Sequence, residues 1–302
     1  MFLKDVSAGA VRSGTSVLYA TLGEVIPERA GVINLGAEGC MLAGACAGFI
    51  ATFRSGNAYV GVLAAALAGA ALALIHAFLV VTRGANQLAS GLALTFFGLG
   101  ITAYFGRPYV GKQIHGLGEL PIPGLSNMPF VGEVLFSHDL LTYLVFPLGP
   151  AIWWLLFRSR LGLQLRAAGE SPEATFAAGL SPARLRYLAV MLGGGLAGLG
   201  GAQLSLAYTQ TWVDGMTNGR GFIAVALVIF AMWNPLRGIA GALLFGGAIA
   251  FQLQLQARGV SISQFLLDMI PYVVTLAVLL VWGRAGRRAM PEGLKDVFSG
   301  TG

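Results

Sequence analysis

AYVGVLAAALAGAALALIHAFLVVT, residues 58–82, runs for 25 residues without one Asp, Glu, Lys or Arg. At 1.5 Å per residue, a helix of that length reaches about 37 Å, more than the roughly 30 Å of a bilayer's hydrocarbon core. Its continuity and its Ala, Leu and Gly content predict a helix. A barrel strand would alternate apolar with polar residues and be half as long.

The rest of the chain repeats the pattern. A window of about 20 residues finds further candidate spans at 8–26, 36–53, 88–105, 140–157, 187–207, 221–233, 236–255 and 267–283. Hydrophobic residues make up 56% of the 302 and charged residues 11%, against about 25% charged in soluble proteins. The mean hydropathy is +0.74. No polar interval is long enough for a separate soluble domain, so residues 1–302 are expected to form one all-α, polytopic membrane domain of about nine transmembrane helices. The run at 221–233 is short, and Pro27, Glu28 and Arg29 interrupt the chain before Asn34; broken or re-entrant helices are expected at both places. Cys40 and Cys46 share one apolar run outside any CxxC pair and are expected to be packing residues. The start of the chain shows no small-residue cleavage site, so the first span is expected to remain.

Lys and Arg near span ends favour the cytoplasmic side. Arg158, Arg160, Arg166, Arg184 and Arg186 fall within 158–186, and Arg284, Arg287, Arg288 and Lys295 within the tail 284–302, so both segments are expected in the cytoplasm. Four candidate spans separate them, an even number, and the two assignments agree. Counting back places 106–139 outside, where His115, Glu119, Glu133 and His138 accompany few basic residues. The amino terminus then also lies outside, although Lys4 and Arg12 pull the other way. The formal charge of +6 sits in these loops and does not imply nucleic-acid binding.

Inside the basic loop, AAGESPEATFAAGLSP (167–182) carries the signals of a short, water-exposed helix. Ser171 can cap its start, Pro172 suits the first turn, Glu173 favours the positive end of the dipole, and Gly179 can take a left-handed stop. Ser181 and Pro182 begin the next helix at once, leaving little slack. A helical connector would explain these signals; so would a docking element rigidly tied to two spans. The surrounding RLGLQLRAAGESPEATFAAGLSPARLRYLA resembles the cytoplasmic coupling loop of ATP-binding-cassette (ABC) importer permeases. GEVIPERAGVINLGAEGCMLAGACAGF (23–49), GLGGAQLSLAY (198–208) and GFIAVALVIFAMWNPLRGIAGALLFGG (221–247) extend the resemblance, in order, to the permeases that import nucleosides and simple sugars.

That resemblance implies a transport subunit of the bacterial inner membrane, without an ATP site or cofactor of its own. Its implied partners are an ABC ATPase, a second and longer permease chain, and an external substrate-binding lipoprotein. The resemblance is to the shorter of the paired permeases, so the extra amino-terminal span of longer relatives is not expected here. The same resemblance assigns coupling to the ATPase to Arg166, Gly169, Glu170, Glu173, Ala174, Phe176 and Gly179.

Polar residues inside spans are costly and become candidates for lining a route. Asn34, Glu38, Gln203 and Gln252 are such candidates, and Phe96, Phe97 and Trp212 could offer aromatic faces to a neutral solute. Interhelical hydrogen bonding competes with this role at each polar position, and Glu38 is expected to serve structure or gating. Gln252, Gln254 and Gln256 cannot share one helix face, because a spacing of two turns the helix by about 200°. GGGLAG at 193–198, with Asp214 beyond it, fits a dinucleotide fingerprint by accident: no strand precedes it, and close helix packing explains the glycines. No catalytic triad, metal-ligand cluster or phosphate loop appears. The alternative is an ion-coupled secondary transporter, with Glu38, His76 or Asp268 carrying the ion; such a transporter has no evident use for the 167–182 helix.

Overall fold

The computed structural model describes residues 2–259 and 262–299. Gly300, Thr301 and Gly302 of the tail, and the side chains of Asp268, Arg284, Arg287 and Arg288, lie outside the described residues. Among the described residues fourteen helices follow one another: α1 (Phe2–Arg29), α2 (Ala37–Ser55), α3 (Ala58–Ala77), α4 (Gln87–Gly106), α5 (Val131–Leu135), α6 (Leu140–Arg158), α7 (Arg160–Glu170), α8 (Pro172–Ala177), α9 (Pro182–Ala202), α10 (Arg220–Phe230), α11 (Pro235–Ala257), α12 (Gln264–Asp268), α13 (Ile270–Ala289) and α14 (Glu292–Ser299). Wider π turns extend α3 over Phe78–Thr82 and α9 over Gln203–Tyr208. Among the described residues the only ladder is a two-residue pairing of β1 (Leu120–Pro121) with β2 (Ser137–His138), inside the loop at 106–139.

Among the described residues, five helices are long and apolar enough to cross a membrane: Ala58–Thr82, Gln87–Tyr109, Leu140–Arg158, Pro182–Tyr208 and Pro235–Ala257. These five do not confirm the expected count of nine. α10 has 11 residues and spans about 16 Å, half the hydrocarbon thickness. The apolar run at 267–283 is divided between α12 and α13.

α1 and α9 lie at the centre; α1 packs on α9, α10 and α11, and α9 also packs on α2 and α3. Glycines make this possible. A Cβ on Gly23 would meet the carbonyl oxygen of Gly193 at 2.6 Å, and one on Gly194 would meet the carbonyl oxygen of Gly69 at 2.7 Å. The glycine run in α9 therefore brings helix backbones together, as small residues do in lipid.

Pro27 does not end α1, contrary to the expected interruption there; the helix continues to Arg29. Proline at that position frees the Gly23 carbonyl, four residues back, from its helical bond. Gly193 of α9 packs against that carbonyl and against the Pro27 ring, at 2.8 and 3.1 Å from its ideal Cβ position. The chain breaks after the proline instead, in the connector 30–36 before α2.

At one end of the bundle, α14 packs on α7, so the 158–186 segment and the tail share a face. The 106–139 loop and the start of α1 share the other end, joined by the ion pairs Lys4–Glu133 and Arg12–Glu119.

Candidate functional site

The half-length helix α10 is held at both ends by the segment that contains the end of α1 and the start of α2. Glu38, in the first turn of α2, sends its carboxylate to the N-terminus of α10. Its Oε1 accepts from the Thr217 hydroxyl at 2.6 Å and from the Gly219 N–H at 2.8 Å, and its Oε2 accepts from the Gly221 N–H at 2.6 Å. Gly219 takes φ +78°, which glycine adopts without strain. At Gly221 a Cβ would collide with the Glu38 backbone, so glycine is required for the approach.

The far end of α10 turns sharply through Met232 and Trp233, at φ 53° and 54°. Two consecutive non-glycine residues in the left-handed region persist only where surroundings fix them. Arg29 does so: its Nε donates to the Trp233 carbonyl at 3.1 Å and its Nη2 to that of Met232 at 3.4 Å. Glu28 Oε2 accepts the Trp233 indole N–H at 2.6 Å. An anion at the N-terminus of α10 and a cation beyond its C-terminus match the sense of its dipole.

In the sequence Glu28 and Arg29 stand out only as an interruption and Glu24 does not stand out at all; its two fully buried carboxylate oxygens have no hydrogen-bond partner among the described residues. Acidic residues spaced i, i+4 at the end of an apolar run were the available signal. Trp233→Phe keeps most of the ring volume but leaves Glu28 without its donor. Loss of about 1–3 kcal/mol of stability is expected, measured as a lower thermal midpoint of the detergent-solubilised protein. An unchanged midpoint would show that this bond contributes nothing.

At the opposite end from α7 and α8, a cavity of about 790 Å³ opens between the start of α1, the middle and end of the 106–139 loop, and the ends of α9 and α11. Ser13, Gln203, Tyr208 and Gln254 line it together with charged residues of both walls. Gln203 is buried; its Nε2 donates to the Arg12 carbonyl at 3.3 Å, and its Oε1 has no partner among the described residues. Next to the cavity, burial lowers the pKa of His138 below the ordinary imidazole value, against the opposing bond to the Val134 carbonyl.

The pathway candidates are not brought together. Gln203 lines the cavity, but from α11 Gln254 lines it rather than Gln252. Asn34 is buried and turns its Oδ1 to the Gly36 N–H at 2.9 Å. Phe96 and Phe97 are exposed on the outer side of α4. Trp212 is fully buried in a cluster with Leu42, Phe49 and Tyr109. His76 bonds Ser90 Oγ at 3.1 Å and the Ile33 carbonyl at 3.0 Å, as a buried histidine between helices does.

The loop at the other end forms as its residues suggest. Ser171 Oγ accepts from the Ala174 N–H at 3.2 Å to start α8. Gly179 at φ +79° ends it, with Gly179 N–H donating to the Phe176 carbonyl at 2.9 Å and Leu180 N–H to that of Thr175 at 3.2 Å. This is the Schellman pattern. Glu173, Ala174 and Phe176 face outward, and Phe176 is 74% exposed.

Arg166 and Gly169 face inward instead. Arg166 Nε donates to the Leu156 carbonyl at 3.0 Å while its guanidinium lies 5.3 Å from the Phe157 ring centre. Gly169 presses on the backbone of Arg29 to Gly31, where a Cβ would stand 2.9 Å from the Gly31 nitrogen. Arg186 fastens the same junction, donating to the Ala30 and Ala168 carbonyls at 3.2 Å each. Glu170 Oε2 accepts the Glu292 N–H at 3.2 Å, and α14 buries Leu294. α8 is thus joined through α7 to Arg29, and through Arg29 to the turn that ends α10.

The family model for the permease component of branched-chain amino acid transport systems matches residues 6–281. TsgC13 of Haloferax volcanii, provisionally named a glucose ABC transporter permease, is 42% identical over 99% of this chain and 98% of its own length. The guanosine ABC transporter permease NupQ of Bacillus subtilis is 31% identical over 91% and 90% respectively. The nucleoside ABC transporter permease NupC of Lactococcus lactis is 30% identical over 93% and 92%.

Proposed function

The chain belongs to the branched-chain amino acid transport system permease family, and from that premise we propose that it is the membrane subunit of an ATP-driven ABC importer for nucleosides or simple sugars. The observation that carries this reading is α8: a helix capped at both ends, presenting Phe176, and tied by Gly169 and Arg186 to the segment that holds α10. A rigid projection of this kind suits a partner that delivers force. ATP hydrolysis would occur in an ABC ATPase seated on α8, with a longer permease chain beside this one and an external binding lipoprotein over the cavity. Small-residue faces and outward aromatic side chains such as Phe96 and Phe97 support pairing with a second permease. The setting is the inner membrane, with α10 as a re-entrant half-span among about nine membrane helices.

Uptake in vesicles tests the reading. Radiolabelled nucleoside or sugar is expected to enter only when this chain, the second permease, the ATPase and ATP are all present; uptake driven by an ion gradient without ATP would overturn it. The proposed orientation has 106–139 outside and 158–186 in the cytoplasm. After Cys40 and Cys46 are replaced, single cysteines in each loop should show that an impermeant thiol reagent labels only the first in intact cells. Labelling of the second would refute that orientation.

A further inference from the structure

Three glycines from segments far apart in the sequence meet beside the start of α8. Gly31 lies in the connector between α1 and α2, Gly169 is the penultimate residue of α7, and Gly293 is in the first turn of α14. A Cβ on Gly169 would stand 2.3 Å from the Arg29 carbonyl oxygen, and one on Gly293 would stand 2.7 Å from the Gly169 carbonyl oxygen and 3.6 Å from the Gly31 Cα. The three backbones therefore touch. Glycine is a poor helix former, so its place in α14 answers to this contact rather than to the helix.

Two further contacts seat α14. Glu170, the last residue of α7, accepts the Glu292 N–H at 3.2 Å, which puts an acid at the positive end of the α14 dipole. Leu294 is fully buried in the main apolar core, and Met290 and Val297 pack against that core beside it. Ser171, which starts α8, follows Glu170 directly, and Arg29, which holds the turn after α10, lies just before Gly31. The seat of α14 is thus the place where α8 is joined to α10.

We propose that α14 is a positioning strut of this junction: seated on Gly169 and Glu170, it keeps the end of α7 pressed on the connector, so that displacement of α8 passes to Arg29 and α10 instead of being absorbed within α7. Arg186 ties the connector to α7 through the Ala30 and Ala168 carbonyls, and α14 adds the contact at the next two residues. The consequence for transport rests on the importer reading; the strut itself does not.

Two variants unseat α14 by opposite routes: Gly293→Ala drives a methyl group against the Gly169 carbonyl, and Leu294→Ala removes the buried anchor. In the full chain, reconstituted without ATPase or solute, hydrogen–deuterium exchange is expected to accelerate several-fold at the amides of 29–36 and 160–170 as well as in α14. In the assembled complex the ATPase should still co-purify in full, because α8 is untouched. Solute imported per ATP hydrolysed should fall by at least about fivefold, the lower end for coupled sites. A tail that only adds stability would lower the thermal midpoint and leave that ratio unchanged. Faster exchange confined to α14, or an unchanged ratio in both variants, would overturn the strut. Faster exchange at 29–36 together with no ATP-driven uptake by the native complex would instead overturn the importer reading and leave the strut standing.

Discussion

Glu38→Ala is expected to lower the thermal midpoint of the solubilised protein sharply and to abolish uptake. The substitution removes the acceptor for three donors at once: the Thr217 hydroxyl and the N–H groups of Gly219 and Gly221. Each buried donor left unsatisfied costs roughly 1–3 kcal/mol. Three together approach a large share of the 5–15 kcal/mol by which domains are typically stable. Glu38→Gln should be milder. It keeps one acceptor oxygen but turns an NH2 group toward one of the N–H donors, so two donors face each other. If Glu38 instead acted on a solute or coupling ion, Glu38→Gln would alter transport selectivity while leaving the thermal midpoint untouched. That result would sink the clamp.

The five long apolar helices were legible because continuous apolar runs mark them wherever they pack. α8 was legible for a different reason: its start and stop lie in local chemistry, with Ser171 and Gly179 acting within three or four residues of themselves. What escaped was set by contacts between distant segments. Gly169 looks like any loop glycine until Arg29 to Gly31, some 140 residues away, press against it. Pro27 reads as a break, yet α9 supplies a glycine beside the freed carbonyl, and the helix runs on.

Aromatic residues carry the same ambiguity. Trp212 and Phe96 have equal claim to a pathway on composition, and the fold buries one entirely and turns the other outward. The cavity is built from α1, the 106–139 loop, α9 and α11, and no single stretch of sequence describes it. Glu38 was legible only as a polar residue in a span, because its partners lie about 180 positions further on.

Phe176→Asp is expected to strip the ATPase from the purified complex while membrane insertion proceeds normally. The residue lies on α8, outside the five helices long and apolar enough to cross a membrane, is 74% exposed, and contributes the one large apolar side chain of that helix. The flanking Ala174, Ala177 and Ala178 are exposed and small, so a partner surface can approach closely enough to enclose the ring. Central aromatic anchors carry a disproportionate share of interface energy, and losing this one should cost more than about 2 kcal/mol. That corresponds to roughly thirtyfold in affinity. Gly179→Val should act by a separate route. Its φ of +79° is disfavoured for a β-branched residue, although open space surrounds the new side chain. The Schellman stop then loosens and α8 tilts, so the ATPase should remain partly bound while uptake falls. Association and transport would therefore separate in the glycine variant and fail together in the phenylalanine variant. Full ATPase recovery with normal uptake in Phe176→Asp would reduce α8 to a connector and remove the observation on which the docking assignment stands.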